Sequence, residues 1–208
     1  MTEKFDGIIF DVDGTLWDST GIAAASYNKV LAKEGSKRIV TGDELKQLFG
    51  KPMDEIFAAL YPEIPAERAA KLAEDCMALE NEDLKVTPGE WYPHLRETFI
   101  KLAERYPLFI VSNCQCGYIE LVIEEAELSD YIRDHLCFGE TGTSKGQTLL
   151  TLMKRNGLSN PVYVGDTQGD ADACAEAGIP IIYCTFGFGK IHDPYASIND
   201  LAELTEIL

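Results

Sequence analysis

Short strings of consecutive apolar residues alternate along this chain with longer helical patterns, and this alternation constrains the fold more than any other feature. Four strings predict buried strands and a weaker one predicts a fifth, at 5–10, 107–112, 161–165, 180–184 and, more weakly, 136–139. Strands that are apolar on both faces are typical of a parallel sheet covered by helices on each side. The intervening helices are predicted at 92–106, 115–127, 145–156 and 168–177. The sequence therefore predicts a doubly wound α/β core.

The segment from about 17 to 85 interrupts this alternation directly after the first strand. It has no good strand string and instead shows the patterns of several helices, at 20–34, 43–49, 52–60 and 65–83. Thr41 and Glu44 have the spacing of a capping box, which predicts the start of one of these helices. We therefore expect an all-helical cap at 17–85, inserted into an α/β core made of residues 1–16 and 86–208.

Composition and charge limit the partners and the compartment. The 208 residues are 46% hydrophobic and carry a formal net charge of −17. Such an acidic protein repels phosphate backbones and anionic lipid, so we expect no nucleic-acid and no membrane partner. The acidic first residues do not resemble a signal peptide, and the six cysteines have no Cys-x-x-Cys spacing. These features predict a reduced, cytoplasmic protein. We also expect a monomer or a weak homodimer whose partner is a small molecule.

Four short polar strings lie at the ends of predicted strands or at the start of a helix. They are Asp11-Val12-Asp13-Gly14-Thr15, Ser112-Asn113, Ser144-Lys145-Gly146-Gln147 and Gly165-Asp166-Thr167-Gln168-Gly169-Asp170. In an open parallel sheet, ligands bind beyond the carboxyl ends of the strands. We therefore expect carboxylates, a hydroxyl and an ammonium group to meet in one crevice.

The chemistry of these side chains points to a metal ion and a phosphate. Clustered carboxylates such as Asp11 and Asp166 repel one another unless a hard cation neutralises them, and Mg²⁺ prefers oxygen ligands. Lys145 supplies a point charge suited to phosphate, in a first helical turn whose free N–H groups also favour an anion. Ser144 and Gln147 have the spacing of a capping box at that helix start. The sequence thus predicts a site for Mg²⁺ and phosphate.

The order of the four strings and the helical insert after the first strand resemble the haloacid dehalogenase-like hydrolase superfamily. The resemblance covers nearly the whole chain and is strongest to phosphatases with a helical cap, of the phosphoglycolate phosphatase-like and β-phosphoglucomutase-like kind. It implies that Asp11 is the nucleophile, which forms an aspartyl-phosphate. It also implies that Asp13 protonates the leaving group as a general acid and then activates water as a base.

The same resemblance implies roles for the remaining strings. Ser112 and Lys145 would hold the phosphoryl group, and Thr15 and Asn113 are further candidates for binding the substrate.

The metal ligands are also carried over from the family. Mg²⁺ would be bound by Asp166, by the carboxylate of Asp11 and by the backbone carbonyl of Asp13. Asp170 would be an outer or additional ligand.

Asp13 favours hydrolysis of a phosphomonoester, because the dehalogenating and phosphonate-cleaving relatives lack the second aspartate. A sugar-phosphate mutase of the same superfamily is the main alternative, but its cap must hold a second phosphate. The arginines of the predicted cap are Arg38 and Arg68, and neither lies in an evident phosphate-binding motif. A catalytically idle binding or regulatory module is a third alternative. It is disfavoured because such a module has no need for both Asp11 and Asp13.

Three further features of the sequence concern the surroundings of the crevice, and two of them have two possible interpretations. Phe49-Gly50-Lys51-Pro52 resembles the cap loop that reaches the active site in relatives, so Lys51 either contacts the substrate or lies in a solvated turn. Trp17 either shields the site or packs at a hinge. The string Phe186-Gly187-Phe188-Gly189 predicts a loop that flanks the pocket.

Overall fold

The computed structural model describes residues 5–208. Residues 1–4, part of the acidic first segment that does not resemble a signal peptide, lie outside that range. Among the described helices, none has the length and apolar character needed to cross a membrane. The described strands are β1 Ile8–Phe10, β2 Trp17–Asp18, β3 Glu90–Trp91, β4 Leu108–Ser112, β5 Ile132–Cys137, β6 Val162–Gly165, β7 Ile181–Cys184 and β8 Ala196–Ile198.

The helices fall into two groups along the chain. The first group is α1 Thr20–Lys33, α2 Gly42–Lys46, α3 Met53–Leu60 and α4 Ala66–Val86. The second is α5 Leu95–Ala103, α6 Tyr118–Glu125, α7 Phe138–Thr141, α8 Lys145–Asn156, α9 Gln168–Ala177 and α10 Leu204–Ile207, the last preceded by a short 3₁₀ turn.

Six strands form one parallel sheet in the order β5-β4-β1-β6-β7-β8. Ile8 and Phe10 of β1 belong to a buried cluster that includes Phe99 of α5, whereas Ile9 belongs to another that includes Leu149 of α8. Since side chains alternate between the two faces of a strand, these clusters cover opposite faces of the sheet. The predicted doubly wound parallel core is therefore confirmed.

The edges of the sheet differ from the prediction. The observed β5 covers Ile132–Cys137 rather than 136–139, and Phe138–Thr141 form α7. The first four residues of β5 are not buried, because this strand lies at the edge of the sheet, and so no apolar string marks them. The short β8 at the other edge was missed for the same reason. The strand predicted at 5–10 is shorter and begins at Ile8.

The helices α1–α4 share their own buried cluster, which includes Tyr27, Leu31, Phe57 and Cys76. Three of the predicted helices match α1, α3 and α4 to within three residues, whereas α2 ends earlier than predicted, at Lys46. The predicted capping box is present. The Glu44 backbone N–H donates to Thr41 Oγ1 at 3.3 Å, and the Thr41 backbone N–H donates to Glu44 Oε2 at 3.0 Å.

Strands β2 and β3 form a separate antiparallel pair at the two crossings between the helical insert and the core. Trp17 of β2 is fully buried and stacks on Trp91 of β3, with ring centroids 4.7 Å apart. This arrangement favours packing at a hinge over shielding of the site as the role of Trp17. The domain boundaries at 16/17 and 85/86 remain a prediction, and the pair shows that the chain crosses at 17–18 and 90–91.

Candidate active site

Three of the four polar strings follow adjacent strands of the sheet. Asp11 follows β1, Ser112 ends β4 and Asp166 follows β6, and β1 lies between the other two strands. The chain proceeds from β1 to β4 and β5 on one side and later to β6, β7 and β8 on the other, so the direction of winding reverses here. Such a switch point opens a crevice at the carboxyl ends of the strands. The sheet topology therefore brings these side chains together.

Three buried carboxylates form a cluster that fits a hard cation. One oxygen from each of Asp11, Asp166 and Asp170 lies within 4.8 Å of the others, and each residue is at most 1% exposed. Burial, together with the charge of Asp170, raises the pKa of Asp11, and the same causes raise the pKa of Asp166 well above its usual range. Neighbouring buried carboxylates repel one another when they are ionised. Mg²⁺ prefers oxygen ligands and neutralises this repulsion, so the cluster is suited to bind it.

Lys145 supplies the positive charge at this cluster. Its ammonium group donates to Asp11 Oδ1 at 2.8 Å and to Asp170 Oδ1 at 2.5 Å. Burial disfavours the charged ammonium, but the two carboxylates outweigh it and raise the pKa of Lys145. Lys145 thus stays charged although it is only 6% exposed.

The helix that carries Lys145 begins differently from the prediction. Ser144 Oγ accepts from the Gln147 backbone N–H at 3.3 Å, as expected of an N-cap. The Gln147 side chain instead donates to Glu176 Oε1 of α9 at 2.5 Å. The predicted capping box at Ser144 and Gln147 is therefore wrong in its second half, because a partner on a neighbouring helix takes the Gln147 amide.

Asp170 holds both Lys145 and the loop after β6. While its Oδ1 accepts from Lys145, its Oδ2 accepts from the backbone N–H groups of Thr167 at 2.9 Å and Asp166 at 3.2 Å, and from Thr167 Oγ1 at 2.8 Å. Burial opposes ionisation of Asp170, but Lys145 and these hydrogen bonds bring its pKa below the usual value. Both oxygens of Asp170 therefore accept hydrogen bonds from the protein, and the residue joins Lys145 to the loop after β6.

Asp13 has an environment distinct from that of Asp11. Its Oδ1 accepts from Tyr118 Oη and from Ser19 Oγ, each at 2.7 Å. Burial raises the pKa of Asp13 to about 6, although both hydrogen bonds oppose the shift. Sequence reasoning missed Tyr118 and Ser19, since no motif connects these positions with Asp13.

Asp166 is enclosed by two backbone segments that approach it closely. Its Oδ2 accepts from the Phe188 backbone N–H at 2.7 Å, and its Oδ1 accepts from Thr15 Oγ1 at 3.3 Å. A Cβ on Gly14 or on Gly187 would lie 2.3 Å from an atom of the Asp166 side chain, so only glycine fits at these two positions. Thr15, a predicted substrate-binding residue, is instead fully buried and contacts the Asp166 carboxylate.

A cleft separates this cluster from the helical insert. The core side is lined by Asp11, Asp13, Ser112, Asn113, Cys114, Gln115 and Tyr118, and the insert side by Tyr27, Phe49, Gly50, Lys51, Met53, Ile56 and Glu80. The Asn113 side-chain amide donates to the Gly50 carbonyl at 2.7 Å, which joins the two sides. Lys51 is exposed and lines the cleft, and its contact with a substrate stays a prediction. No sequence signal pointed to Glu80 or Tyr27.

The comparison with known protein families identifies the family of this chain. A family model described as haloacid dehalogenase-like hydrolase matches residues 8–184, which includes all four polar strings. The chain belongs to the haloacid dehalogenase-like hydrolases. Curated relatives of this hydrolase include phosphoglycolate phosphatases from Escherichia coli K12 and Salmonella typhi, each 26% identical over 96% of this chain and 92% of the relative. Together these matches identify the hydrolase as a phosphatase, a phosphoric monoester hydrolase.

Solved structures share the same fold. A haloacid dehalogenase-like family hydrolase from Streptococcus pneumoniae is 17% identical, with a TM-score of 0.85 and 98% of both chains covered. A protein from Haemophilus somnus, described as a predicted phosphoglycolate phosphatase, is 20% identical, with a TM-score of 0.85. It covers 100% of this chain and 99% of its own. The core with its inserted helices is thus the architecture of this family.

Proposed function

We propose that this hydrolase is a Mg²⁺-dependent phosphatase that cleaves a small organic phosphomonoester through an aspartyl-phosphate on Asp11. One observation carries the proposal: the buried Asp11 carboxylate contacts Lys145 and lies in the carboxylate cluster, while Asp13 accepts hydrogen bonds from Tyr118 and Ser19. Two aspartates two positions apart therefore have environments suited to two different tasks, nucleophilic attack and proton transfer.

In the first step, a carboxylate oxygen of Asp11 attacks phosphorus, and the bond between phosphorus and the alcohol oxygen breaks. Asp13 gives its proton to that oxygen, so the alcohol leaves in neutral form. In the second step, Asp13 takes a proton from water as the water oxygen attacks the phosphorus of the aspartyl-phosphate. Asp11 is released as a carboxylate together with inorganic phosphate, and a difficult displacement is split into two easier ones.

The remaining residues of the site bind and orient the phosphoryl group. Ser112 and Asn113 line the cleft beside Asp11, and the Lys145 ammonium adjoins the nucleophile at 2.8 Å. Asp170 keeps Lys145 in place.

Asp11, Asp166 and the backbone carbonyl of Asp13 would hold Mg²⁺. The ion would supply charge neutralisation for the phosphoryl oxygens. Asp166 suits this role because the backbone of Phe188 and the hydroxyl of Thr15 fix the orientation of its carboxylate.

The cap arginines support a hydrolase over a sugar-phosphate mutase. Arg38 donates to the Leu60 carbonyl and to Glu44, and Arg68 donates to Glu34 at 2.6 Å. Both guanidinium groups are thus engaged within the insert, and neither lines the cleft among residues 5–208. A mutase needs a second phosphate site in its cap, and these contacts provide none.

The substrate proposed here is a small phosphorylated metabolite, because the insert covers the cleft and joins the core through Asn113 and Gly50. Phosphoglycolate is the substrate in the names of the curated relatives, so it is one compound to test.

Phosphate release from p-nitrophenyl phosphate with Mg²⁺ tests the proposed function. We expect turnover that EDTA removes and added Mg²⁺ restores. Asp11→Asn should reduce turnover by about 10⁴-fold or more, since a carboxamide is a poor nucleophile and metal ligand. Far-UV circular dichroism checks that the variant is folded. Wild-type turnover that survives exhaustive chelation, or a folded and active Asp11→Asn variant, contradicts the proposal.

A further inference from the structure

The cleft contains a buried carboxylate that the proposed chemistry does not use. Glu80 of α4 lies on the insert side of the cleft and is only 3% exposed. Its Oε2 accepts from Tyr27 Oη at 3.0 Å and from Gln115 Nε2 at 3.5 Å. Within residues 5–208 no side chain or backbone group donates to Oε1, and no lysine or arginine forms an ion pair with Glu80. A buried carboxylate without a cation is costly, so its presence needs an explanation.

The surroundings of Glu80 determine which charged groups of a ligand can bind beside it. Burial, together with the negative charge of Asp13, raises the pKa of Glu80 to about 8. An ammonium group at Oε1 would pair with the carboxylate and lower that pKa again. A substrate carboxylate at the same place could bind only while Glu80 keeps its proton, and above about pH 8 the two like charges would repel each other.

Glu80 lies on the side of the cleft that faces the leaving group of the substrate. The phosphoryl group is placed by Asp11 and its neighbours on the core side, and Asp13 protonates the alcohol oxygen in the proposed mechanism. Glu80 and Tyr27 line the same cleft on the opposite, insert side. The alcohol portion of the substrate, which extends away from phosphorus, therefore faces the insert.

The other charges of the cleft do not compensate for Glu80. The described residues that line the cleft include three carboxylates, on Asp11, Asp13 and Glu80, and one cation, Lys51. Lys51 is exposed, whereas Glu80 is buried in the wall. Among the described residues that line the cleft, a carboxylate on the leaving group would thus find no buried cation to contact.

We propose that Glu80 and Tyr27 form the subsite for the alcohol portion of the substrate, and that this subsite selects a leaving group with a hydrogen-bond donor, ammonium or hydroxyl, over one with a carboxylate. The substrate class is then a phosphorylated amino alcohol or polyol. This inference rests on the proposed phosphatase function. It separates this hydrolase from the substrate named for its curated relatives, because phosphoglycolate carries a carboxylate on the carbon that bears the phosphate ester.

The test uses competitive inhibition of p-nitrophenyl phosphate hydrolysis by phosphoethanolamine, glycerol 3-phosphate and phosphoglycolate, with Mg²⁺ present and at about pH 9, where Glu80 is ionised. The wild-type protein should bind the first two compounds about tenfold more tightly than phosphoglycolate. The comparison between phosphoethanolamine and glycerol 3-phosphate shows whether the donor is an ammonium or a hydroxyl group. Equal inhibition by all three, no inhibition by any, or tighter binding of phosphoglycolate overturns the subsite.

Glu80→Gln assigns the preference to this residue, since glutamine keeps the shape and an acceptor for Tyr27 but removes the charge. We expect the ratio of phosphoglycolate to phosphoethanolamine inhibition constants to fall about tenfold. Glu74→Gln is the matched control, because Glu74 lies on the same helix with a 68% exposed side chain, and it should leave the ratio unchanged.

The outcomes separate this inference from the proposed function. An unchanged ratio in a folded Glu80→Gln variant contradicts the role of Glu80. If that variant does not fold, the wild-type preference alone still decides whether the cleft disfavours a carboxylate. Failure of the wild-type protein to hydrolyse p-nitrophenyl phosphate with Mg²⁺ contradicts the phosphatase function itself.

Discussion

Single residues of the same type have different chemistry in this site because their neighbours differ. Asp11 contacts the Lys145 ammonium, whereas Asp13 accepts hydrogen bonds from two neutral hydroxyl groups. The Lys145 ammonium favours the ionised form of Asp11 against the effect of burial, and the two hydroxyl groups orient Asp13 in a buried place, where its raised pKa suits proton exchange. In the proposed mechanism, the division of labour between nucleophile and acid–base group thus depends on the contacts that Lys145, Tyr118 and Ser19 make with the two aspartates.

Asp13→Asn tests this division at the residue scale. Asparagine cannot transfer the proton, so kcat should fall by about 10²- to 10⁴-fold. With p-nitrophenyl phosphate the first step should suffer less, because p-nitrophenolate leaves without a proton. We therefore expect a rapid burst of p-nitrophenol and accumulation of phosphorylated protein, measured by stopped-flow absorbance and intact mass. Asp130→Asn, at an exposed position, is the control, and a variant that turns over at the wild-type rate would show that Asp13 has no such role.

At the scale of elements, the loop between α2 and α3 connects the insert with the core. The Gly50 carbonyl accepts from Asn113, and Lys51 follows at the exposed side of the cleft. Within the described range Lys51 forms no ion pair, so its ammonium is available to a ligand. The loop therefore places one exposed cation near the residues proposed to bind the phosphoryl group, while the helices behind it supply Glu80 and Tyr27.

Lys51→Ala measures what this loop contributes. If Lys51 contacts the substrate, kcat/KM for the physiological substrate should fall by about tenfold, with a smaller loss for p-nitrophenyl phosphate, which gains little from contacts with the insert. Lys37→Ala, at another exposed position of the insert, controls for loss of charge. An equal loss of kcat/KM on both substrates indicates a general structural role. No loss on either substrate indicates that Lys51 lies in a solvated turn and does not contact the substrate.

For the molecule as a whole, folding forces three carboxylates into one buried cluster. Bringing Asp11, Asp166 and Asp170 together opposes folding, and Lys145 offsets this only in part, since the pKa of Asp11 and of Asp166 stays raised. A cation that binds only the folded chain relieves that repulsion and couples the site to overall stability.

Mg²⁺ should therefore raise the midpoint of thermal unfolding. At a concentration 100 times its dissociation constant, binding to the folded state alone stabilises it by about 2.7 kcal/mol. Asp166→Asn should largely remove this Mg²⁺-dependent shift, and Glu206→Gln, at an exposed position near the carboxyl end, should keep it. Differential scanning calorimetry with Mg²⁺ and with EDTA makes the measurement. The same shift in wild type and in Asp166→Asn would remove Asp166 from the metal site.

What the sequence by itself determined is local: the apolar strings that became β4, β6 and β7, the helices of the insert, and the polar strings at the strand ends. These follow from patterns within about ten residues, and parallel pairing then brings the strand ends together. What only the tertiary structure decided depends on contacts between distant residues. Examples are Tyr118 against Asp13, 105 positions away, the Gln147 amide on Glu176 rather than on its own helix start, and Glu80 in the wall of the cleft. No local pattern encodes such contacts, because they exist only once elements distant in the sequence have packed against one another.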